Sequence, residues 1–311
     1  MQLRQLAEWA AIKAVRQLPS GRPDWLRGPK VLQLDLHNYC NLSCIYCNVQ
    51  GCFNLPKGYM KLATAKQALE ETTSTARMVW LFLNGEPLLD RRLPTFSRLS
   101  KYINPKATTV IFTNGTVWTN RELLLDRNID QVHFTISAAT RKTYAQVHGR
   151  DLFEQALQTA FWFRENKNRR QKQWIHFVIT NKNFHELEAW KQRFKGFNWV
   201  ISPLHRGFGQ QRSEECLAGI NYKATIKIGT YRGEMAPNMP CTLWNNQSIS
   251  WRGELLECCA APYGYNHGIV GERHMVEAWN EKVHNRMQNP ICGACSLKNR
   301  GYKMILKKWL A

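Results

Sequence analysis

Three thiols stand within eight residues in Cys40-Asn41-Leu42-Ser43-Cys44-Ile45-Tyr46-Cys47, spaced C-x3-C-x2-C, directly after the apolar run Val31-Leu32-Gln33-Leu34-Asp35-Leu36. That spacing suits one face of a [4Fe–4S] cube, where three thiolates leave the fourth iron open to a ligand that is not protein. A zinc site normally closes with four ligands, which this triplet does not supply. A second group comprises Cys241, the adjacent Cys258 and Cys259, and Cys292-Gly293-Ala294-Cys295. It can provide four thiolates, enough to saturate either a zinc ion or a [4Fe–4S] cluster, and spacing alone leaves both open. Cys52, Cys216 and whichever of Cys258 and Cys259 is not a ligand read as packed or incidental thiols.

The elements that must position these thiols alternate. Apolar strand-like runs occur at 31–36, 78–83, 108–112, 131–136, 174–179 and 197–201. Helical stretches lie between them at 64–76, 93–103, 121–126, a long one over 140–166, and 186–194. Six β/α units in succession predict a parallel sheet of α/β class. Polar and Gly-bearing segments follow the strand ends: Asn84-Gly85-Glu86-Pro87, Thr113-Asn114-Gly115-Thr116 and Ser137. That placement favours a partial (β/α)6 barrel over an open doubly wound sheet. Residues 1–30 read as a basic amphipathic helix with a Pro- and Gly-bearing lead-in, 31–205 as the barrel and 206–240 as a linker. Residues 241–311 read as a small C-terminal cysteine domain, opening on a hairpin over 247–258 with Gly253 in its turn, and a helix follows over 275–287.

Lys and Arg number 43 against 23 Asp and Glu, a net charge of +20, concentrated around Arg164–Lys172 and Lys298–Lys308. Such a surface is either simply solvated or fitted to an acidic partner: a phosphorylated small molecule, an acidic peptide, nucleic acid or an anionic membrane surface. The weakly apolar helix over 3–18 admits peripheral membrane contact as well as packing. No apolar run of about 18 residues is present, so no spanning helix is expected. Ten cysteines without an apolar signal segment predict metal ligation in a reducing cytoplasm.

The C-x3-C-x2-C triplet, with Tyr46 before its last Cys, and the Asn84–Pro87 turn together resemble the radical S-adenosylmethionine (radical SAM) superfamily over roughly 31–205. The turn looks like the family's GGEP motif, with Asn in place of the first Gly. The resemblance implies that Cys40, Cys44 and Cys47 hold a [4Fe–4S] cluster, and that Asn84, Gly85, Glu86 and Pro87 cradle S-adenosylmethionine. Asn114 and Ser137 stand where the family contacts that cofactor, and a family Arg corresponds to His148 or Arg150, of which Arg150 would bind a carboxylate more strongly. Ala138-Ala139 after Ser137 departs from the family pattern. Glu86 also reads as a satisfied strand-end carboxylate, not as an acid–base catalyst. The implied chemistry is reductive cleavage of S-adenosylmethionine to a 5′-deoxyadenosyl radical that abstracts a substrate hydrogen. A low-potential donor such as flavodoxin or ferredoxin would supply the electron.

The second cysteine group resembles the SPASM and shorter twitch extensions, in the form with one auxiliary [4Fe–4S] cluster. There the ligands would be Cys241, Cys258, Cys292 and Cys295, with Cys258 preferred over Cys259 because it follows Gly253 by five residues. Cys216 is a candidate hydrogen-atom donor by analogy with epimerase-type members, and His205 and Arg206 are candidate substrate contacts. The expected activity is oxidative modification of a ribosomally made peptide or of a small alcohol or sugar. The absence of a separate peptide-recognition domain before the barrel weighs against the peptide. The molybdenum-cofactor cyclases end in Gly-Gly, whereas this chain ends Trp309-Leu310-Ala311. The rivals are a radical SAM enzyme that modifies RNA and a non-enzymatic zinc protein that binds nucleic acid or a partner.

Overall fold

The computed structural model describes residues 28–47, 56–203, 246–259 and 266–285. The six expected strands are present, separated by helical segments. They are β1 (Val31–Leu34), α1 (Leu62–Thr72), β2 (Met78–Trp80), α2 (Leu93–Ile103), β3 (Thr108–Thr113) and β4 (Gln131–Thr135). There follow α3 (Arg141–His148), α4 (Phe153–Asn166), β5 (Lys172–Ile179), α5 (Leu187–Arg193) and β6 (Asn198–Pro203). Strands β1 to β6 lie side by side in sequence order, each parallel to the next. The result is a mostly parallel α/β sheet of partial-barrel type.

Period-2 alternation decides which face of the sheet is covered. In β4 and β5, Val132, Phe134, Ile175, Phe177 and Ile179 are buried against Ala156, Leu157, Ala160 and Phe163 of α4 and Leu187 and Trp190 of α5. The opposite face is half-buried and carries rings instead. Trp80, Phe82, Phe112, His133, His176 and Trp174 run across β2 to β5 in successive ring contacts. His133 Nδ1 lies 2.7 Å from His176 Nε2. Burial pushes His133 down to about 3, helped by His176, and pushes His176 down to about 4, so both rings are neutral near pH 7.

Two helical expectations need correcting. The stretch over 140–166 is not one helix. Gly149 adopts φ +78° and caps α3 in the left-handed region, and α4 restarts at Phe153. The expected helix over 121–126 is a 3-10 segment, Trp118–Leu125, whose Asn120 Nδ2 donates to Leu88 O at 2.7 Å.

Past residue 245, β7 (Asn246–Ile249) and β8 (Glu254–Leu256) form the expected hairpin, with Gly253 at φ +91° in the turn. β7 also pairs in parallel with β1, and β9 (Asn266–Ile269) continues beyond β8. The sheet order is therefore β6-β5-β4-β3-β2-β1-β7-β8-β9. Ser248 Oγ donates to Gln33 Oε1 across the β1–β7 seam at 2.5 Å, both side chains being buried. Helix α6 (Met275–Asn285) is fastened to the same region: Lys282 Nζ donates to Asn246 O, and Met275 N to Glu71 Oε2 of α1. Among the described residues no helix is long and apolar enough to cross a membrane.

Candidate cluster and cofactor site

The loop carrying Cys40, Cys44 and Cys47 follows β1 and is clasped by the end of α3. Ser43 N donates to His148 O at 3.2 Å, and Ile45 N to Val147 O at 2.9 Å. Carbonyls of the last helical turn have no partner within their own helix, so the loop supplies one. Gly149 makes this approach feasible, because a Cβ there would lie 2.3 Å from Ser43 Oγ. The loop closes on itself through Cys47 N to Cys44 O at 3.0 Å. On its other side Asn114, at the end of β3, donates Nδ2 to Asn41 Oδ1 at 2.9 Å and approaches Cys40 Sγ at 3.9 Å. Asn41 in turn donates to Thr116 Oγ1 at 2.7 Å.

The turn after β2 is drawn to the same loop. Asp35, fully buried just past the end of β1, accepts Asn84 N at 3.0 Å and Asn84 Nδ2 at 3.3 Å. Glu86 N donates to Tyr39 O at 2.8 Å, bringing the turn against the residue before Cys40. Only Gly fits at 85: a Cβ there would lie 2.3 Å from His37 O. The buried Glu86 carboxylate accepts Thr113 Oγ1 at 2.6 Å, Asn114 N at 2.7 Å and Leu88 N at 3.0 Å. Burial pushes its pKa up to about 7 against those three donors. Glu86 thus ties the end of β2 to the end of β3 as a satisfied strand-end carboxylate, and Pro87 opens the short 3-10 turn that follows.

Ser137, at the end of β4, is fully buried and is a hub within the protein. Its Oγ accepts Val178 N at 3.0 Å and lies 3.5 Å from Tyr46 Oη, its carbonyl accepts Asn183 Nδ2, and its N–H donates to His148 Nε2 at 3.1 Å. The other nitrogen of that ring, His148 Nδ1, is 3.2 Å from Cys44 Sγ. Burial pushes His148 down to about 3, so the ring is neutral. Arg150, two residues further on, is exposed. Ala138 and Ala139 are buried, and Glu186 accepts Ala139 N, Thr140 N, Thr140 Oγ1 and Thr143 Oγ1, capping the start of α3. Burial opposes ionisation of Glu186, but these donors hold its pKa below the usual value.

The donor set fits an iron–sulfur cluster. Burial pushes the Cys40 thiol up to about 12, with the Glu86 charge adding to it, and drives Cys44 well above its usual value through burial and the other two cysteines. A cationic centre bound to Cys40 and Cys44 would offset this and favour their thiolate forms. The Tyr144 hydroxyl, buried within electrostatic reach of Cys44, Glu86 and Cys40, has no protein hydrogen-bond partner. Among the described residues no three His, Cys, Asp or Glu side chains converge on a single metal ion. Cluster thiolates need no such convergence, since each binds a different iron.

Cys258 and Cys259 follow β8. Leu256 pairs with Ser248, and Ser248 with Gln33, so Cys258 emerges level with the beginning of β1, while the triplet follows its end. Cys241, Cys292, Cys295, Cys216, Cys52, His205 and Arg206 lie outside the described residues, as does the helix expected over 3–18. Asp35, Tyr144 and Glu186 were not singled out from sequence. Asp35 had a visible signal, being the lone acid in the apolar run 31–36.

The profile of the Radical SAM superfamily matches residues 35–193, just over half the chain. The S-adenosyl-L-methionine-dependent 2-deoxy-scyllo-inosamine dehydrogenase of Niallia circulans is 27% identical over 129 residues, 39% of this chain and 52% of that protein. The GTP 3′,8-cyclase of Chlorobaculum tepidum is 29% identical over 118 residues, 37% of this chain and 35% of that one. The matched stretch thus spans between a third and about half of these relatives' own lengths. Streptococcus suis SuiB bound to S-adenosylmethionine superposes with a TM-score of 0.62 at 16% identity, covering 90% of this chain and 70% of SuiB, which supports the fold. With the profile match spanning the cysteine loop, the Asn84 turn and the strand ends around them, the chain belongs to the Radical SAM superfamily.

Proposed function

We propose that the chain is a radical SAM oxidoreductase with one auxiliary [4Fe–4S] cluster that oxidatively modifies a small alcohol or sugar, or a peptide. The observation that carries this reading is the placement of Cys258 level with the start of β1 and of the triplet beyond its end. A second redox centre built on Cys258 would lie toward the opposite end of that strand from the triplet, and such a pair would suit a reaction that both removes a hydrogen and takes up an electron. Cys40, Cys44 and Cys47 would hold the first cluster, and Asn84–Pro87 would line the cofactor. Cys241, Cys258, Cys292 and Cys295 would hold the second. When bound, these groups supply a 5′-deoxyadenosyl radical and an electron acceptor. The chain's own share is positional. Asp35 and Glu86 fix the Asn84 turn, Asn114 and the end of α3 fix the cysteine loop, and the ring-lined face of β2 to β5 offers a water-poor wall for substrate.

The dehydrogenase relative supports the small-alcohol substrate, and SuiB, which has also been seen with its precursor peptide SuiA, keeps the peptide in view. Anaerobic reconstitution of the full chain tests the reading. About eight irons per chain are expected, about half surviving in a Cys40→Ala, Cys44→Ala, Cys47→Ala variant and about half in Cys258→Ala. With dithionite, flavodoxin or ferredoxin as donor, only chains with the first cluster should release 5′-deoxyadenosine. One zinc and no iron would overturn the reading. Supplying an aminocyclitol, a precursor peptide and GTP separately then sorts the substrates, and turnover of GTP alone would move the chain to the cyclases.

A further inference from the structure

His148 is set apart from every other described histidine by what its two nitrogens face. Ser137 N–H, at 3.1 Å, points its hydrogen at Nε2, so Nε2 is the acceptor. A neutral imidazole carries one proton, which must then sit on Nδ1. Nδ1 is 3.2 Å from Cys44 Sγ, so the ring donates a hydrogen bond to that sulfur. The ring cannot turn away. Tyr144 stacks on it at 4.2 Å with the planes 22° apart, and Tyr46 meets it edge-on at 5.9 Å. Its backbone is fixed as well, because His148 O accepts Ser43 N of the cysteine loop. One residue therefore grips the loop by its carbonyl and one of the loop's sulfurs by its ring.

We propose that His148 is a positioning residue that sets the reduction potential of the cluster held by Cys40, Cys44 and Cys47, through an Nδ1–H···Sγ bond to Cys44. This rests on the cluster assignment made above. A cluster gains an electron, and its sulfurs gain negative charge, on reduction. A donor aimed at a ligand sulfur stabilises the reduced form more than the oxidised form and raises the potential. Hydrogen-bond control of this kind matters at an iron–sulfur centre whose electron must come from a cellular donor. Arg150, the stronger carboxylate binder by charge, is exposed and leaves the Cys44 sulfur to the neutral ring.

The test compares the reconstituted full chain with His148→Phe, which keeps a ring but has no donor, and His148→Asn, whose amide can place an N–H near the Nδ1 position. The cluster concerned is identified by the EPR signal that changes on adding S-adenosylmethionine, and its potential is read by redox titration of that signal. Wild type and His148→Asn should titrate together. At a fixed ambient potential His148→Phe should show about a tenfold lower ratio of reduced to oxidised cluster, about 59 mV for a one-electron couple. Wild-type protein with isotopically labelled histidine supplies a readout that no folding defect can blur: a weak histidine-nitrogen coupling to the reduced cluster, lost in His148→Asn. Full iron content with unchanged potential in His148→Phe, or no histidine coupling in wild type, would overturn the role of His148 alone. A wild-type chain that takes up no iron would overturn the cluster assignment with it.

Discussion

Asp35 receives Asn84 with both carboxylate oxygens, one from the backbone N–H at 3.0 Å and one from the side-chain amide at 3.3 Å. The position where the family pattern has Gly thus carries a side chain with a buried carboxyl group to meet it. Asn84→Gly keeps the first bond and loses the second, and it adds backbone freedom. We expect it to destabilise the protein by about 1–3 kcal/mol. Anaerobic urea unfolding reads this as a lower midpoint, and an unchanged midpoint would mean that the amide contributes nothing.

Gly85→Ala should act on cofactor binding more than on folding. The added Cβ meets backbone, His37 O at 2.3 Å and Tyr39 O at 2.9 Å, and neither can swing aside as a side-chain tip could. The turn must move off the loop, at about 1–3 kcal/mol. Equilibrium dialysis should show S-adenosylmethionine affinity reduced about tenfold, with the iron content retained.

Glu186→Gln should loosen the cysteine loop from a distance. The carboxylate accepts four donors at the start of α3, and the other end of that helix holds Ser43 and Ile45. An amide offers one acceptor oxygen, leaving donors at Ala139 to Thr143 short of partners, at a cost of about 2 kcal/mol. Iron release to a chelator should accelerate relative to wild type.

The His133–His176 pair makes a prediction about pH. Both pKa values are depressed in the fold, to about 3 and about 4, against an ordinary 6.5. As pH falls through 6.5 the unfolded chain takes up protons that the folded pair refuses, so stability present above 6.5 is lost on acidification. Between pH 7 and 5 the pair should contribute a loss of about 2–4 kcal/mol. The His133→Phe, His176→Phe double variant should show a correspondingly flatter dependence of its urea midpoint on pH over that range.

The barrel strands were legible from two patterns, the continuous apolar run of Met78–Trp80 and the period-2 alternation of Gln131–Thr135, whose Val132 and Phe134 face the helices. The cysteine triplet and the Asn84 turn were legible because their chemistry is local. Partners that arrive from elsewhere in the chain were not. Glu186 sits 46 positions from the Thr140 hydroxyl it accepts, and Cys44 is 104 positions from the ring that meets its sulfur. By resemblance the sequence offers His148 or Arg150 for the cofactor carboxylate and favours Arg150, whereas the fold leaves Arg150 exposed and puts the His148 ring against Cys44. Reading 140–166 as one helix passed over a signal that is local: Gly149 caps α3 at φ +78°, its N–H donating to Ala145 O, and the space left by its missing Cβ is what the cysteine loop then uses.

The β1–β7 seam bears on how this protein can be cut. β1 has β2 on one side and β7 on the other, and Leu32 pairs with Val79 and with Gln247. A truncation before residue 246 that set out to isolate the barrel would strip one flank of the strand that leads into the cysteine triplet. Its row of N–H and C=O groups would be left as a template for another chain. Such a fragment should be recovered as aggregate, and expression trials are better served by keeping the hairpin with the barrel.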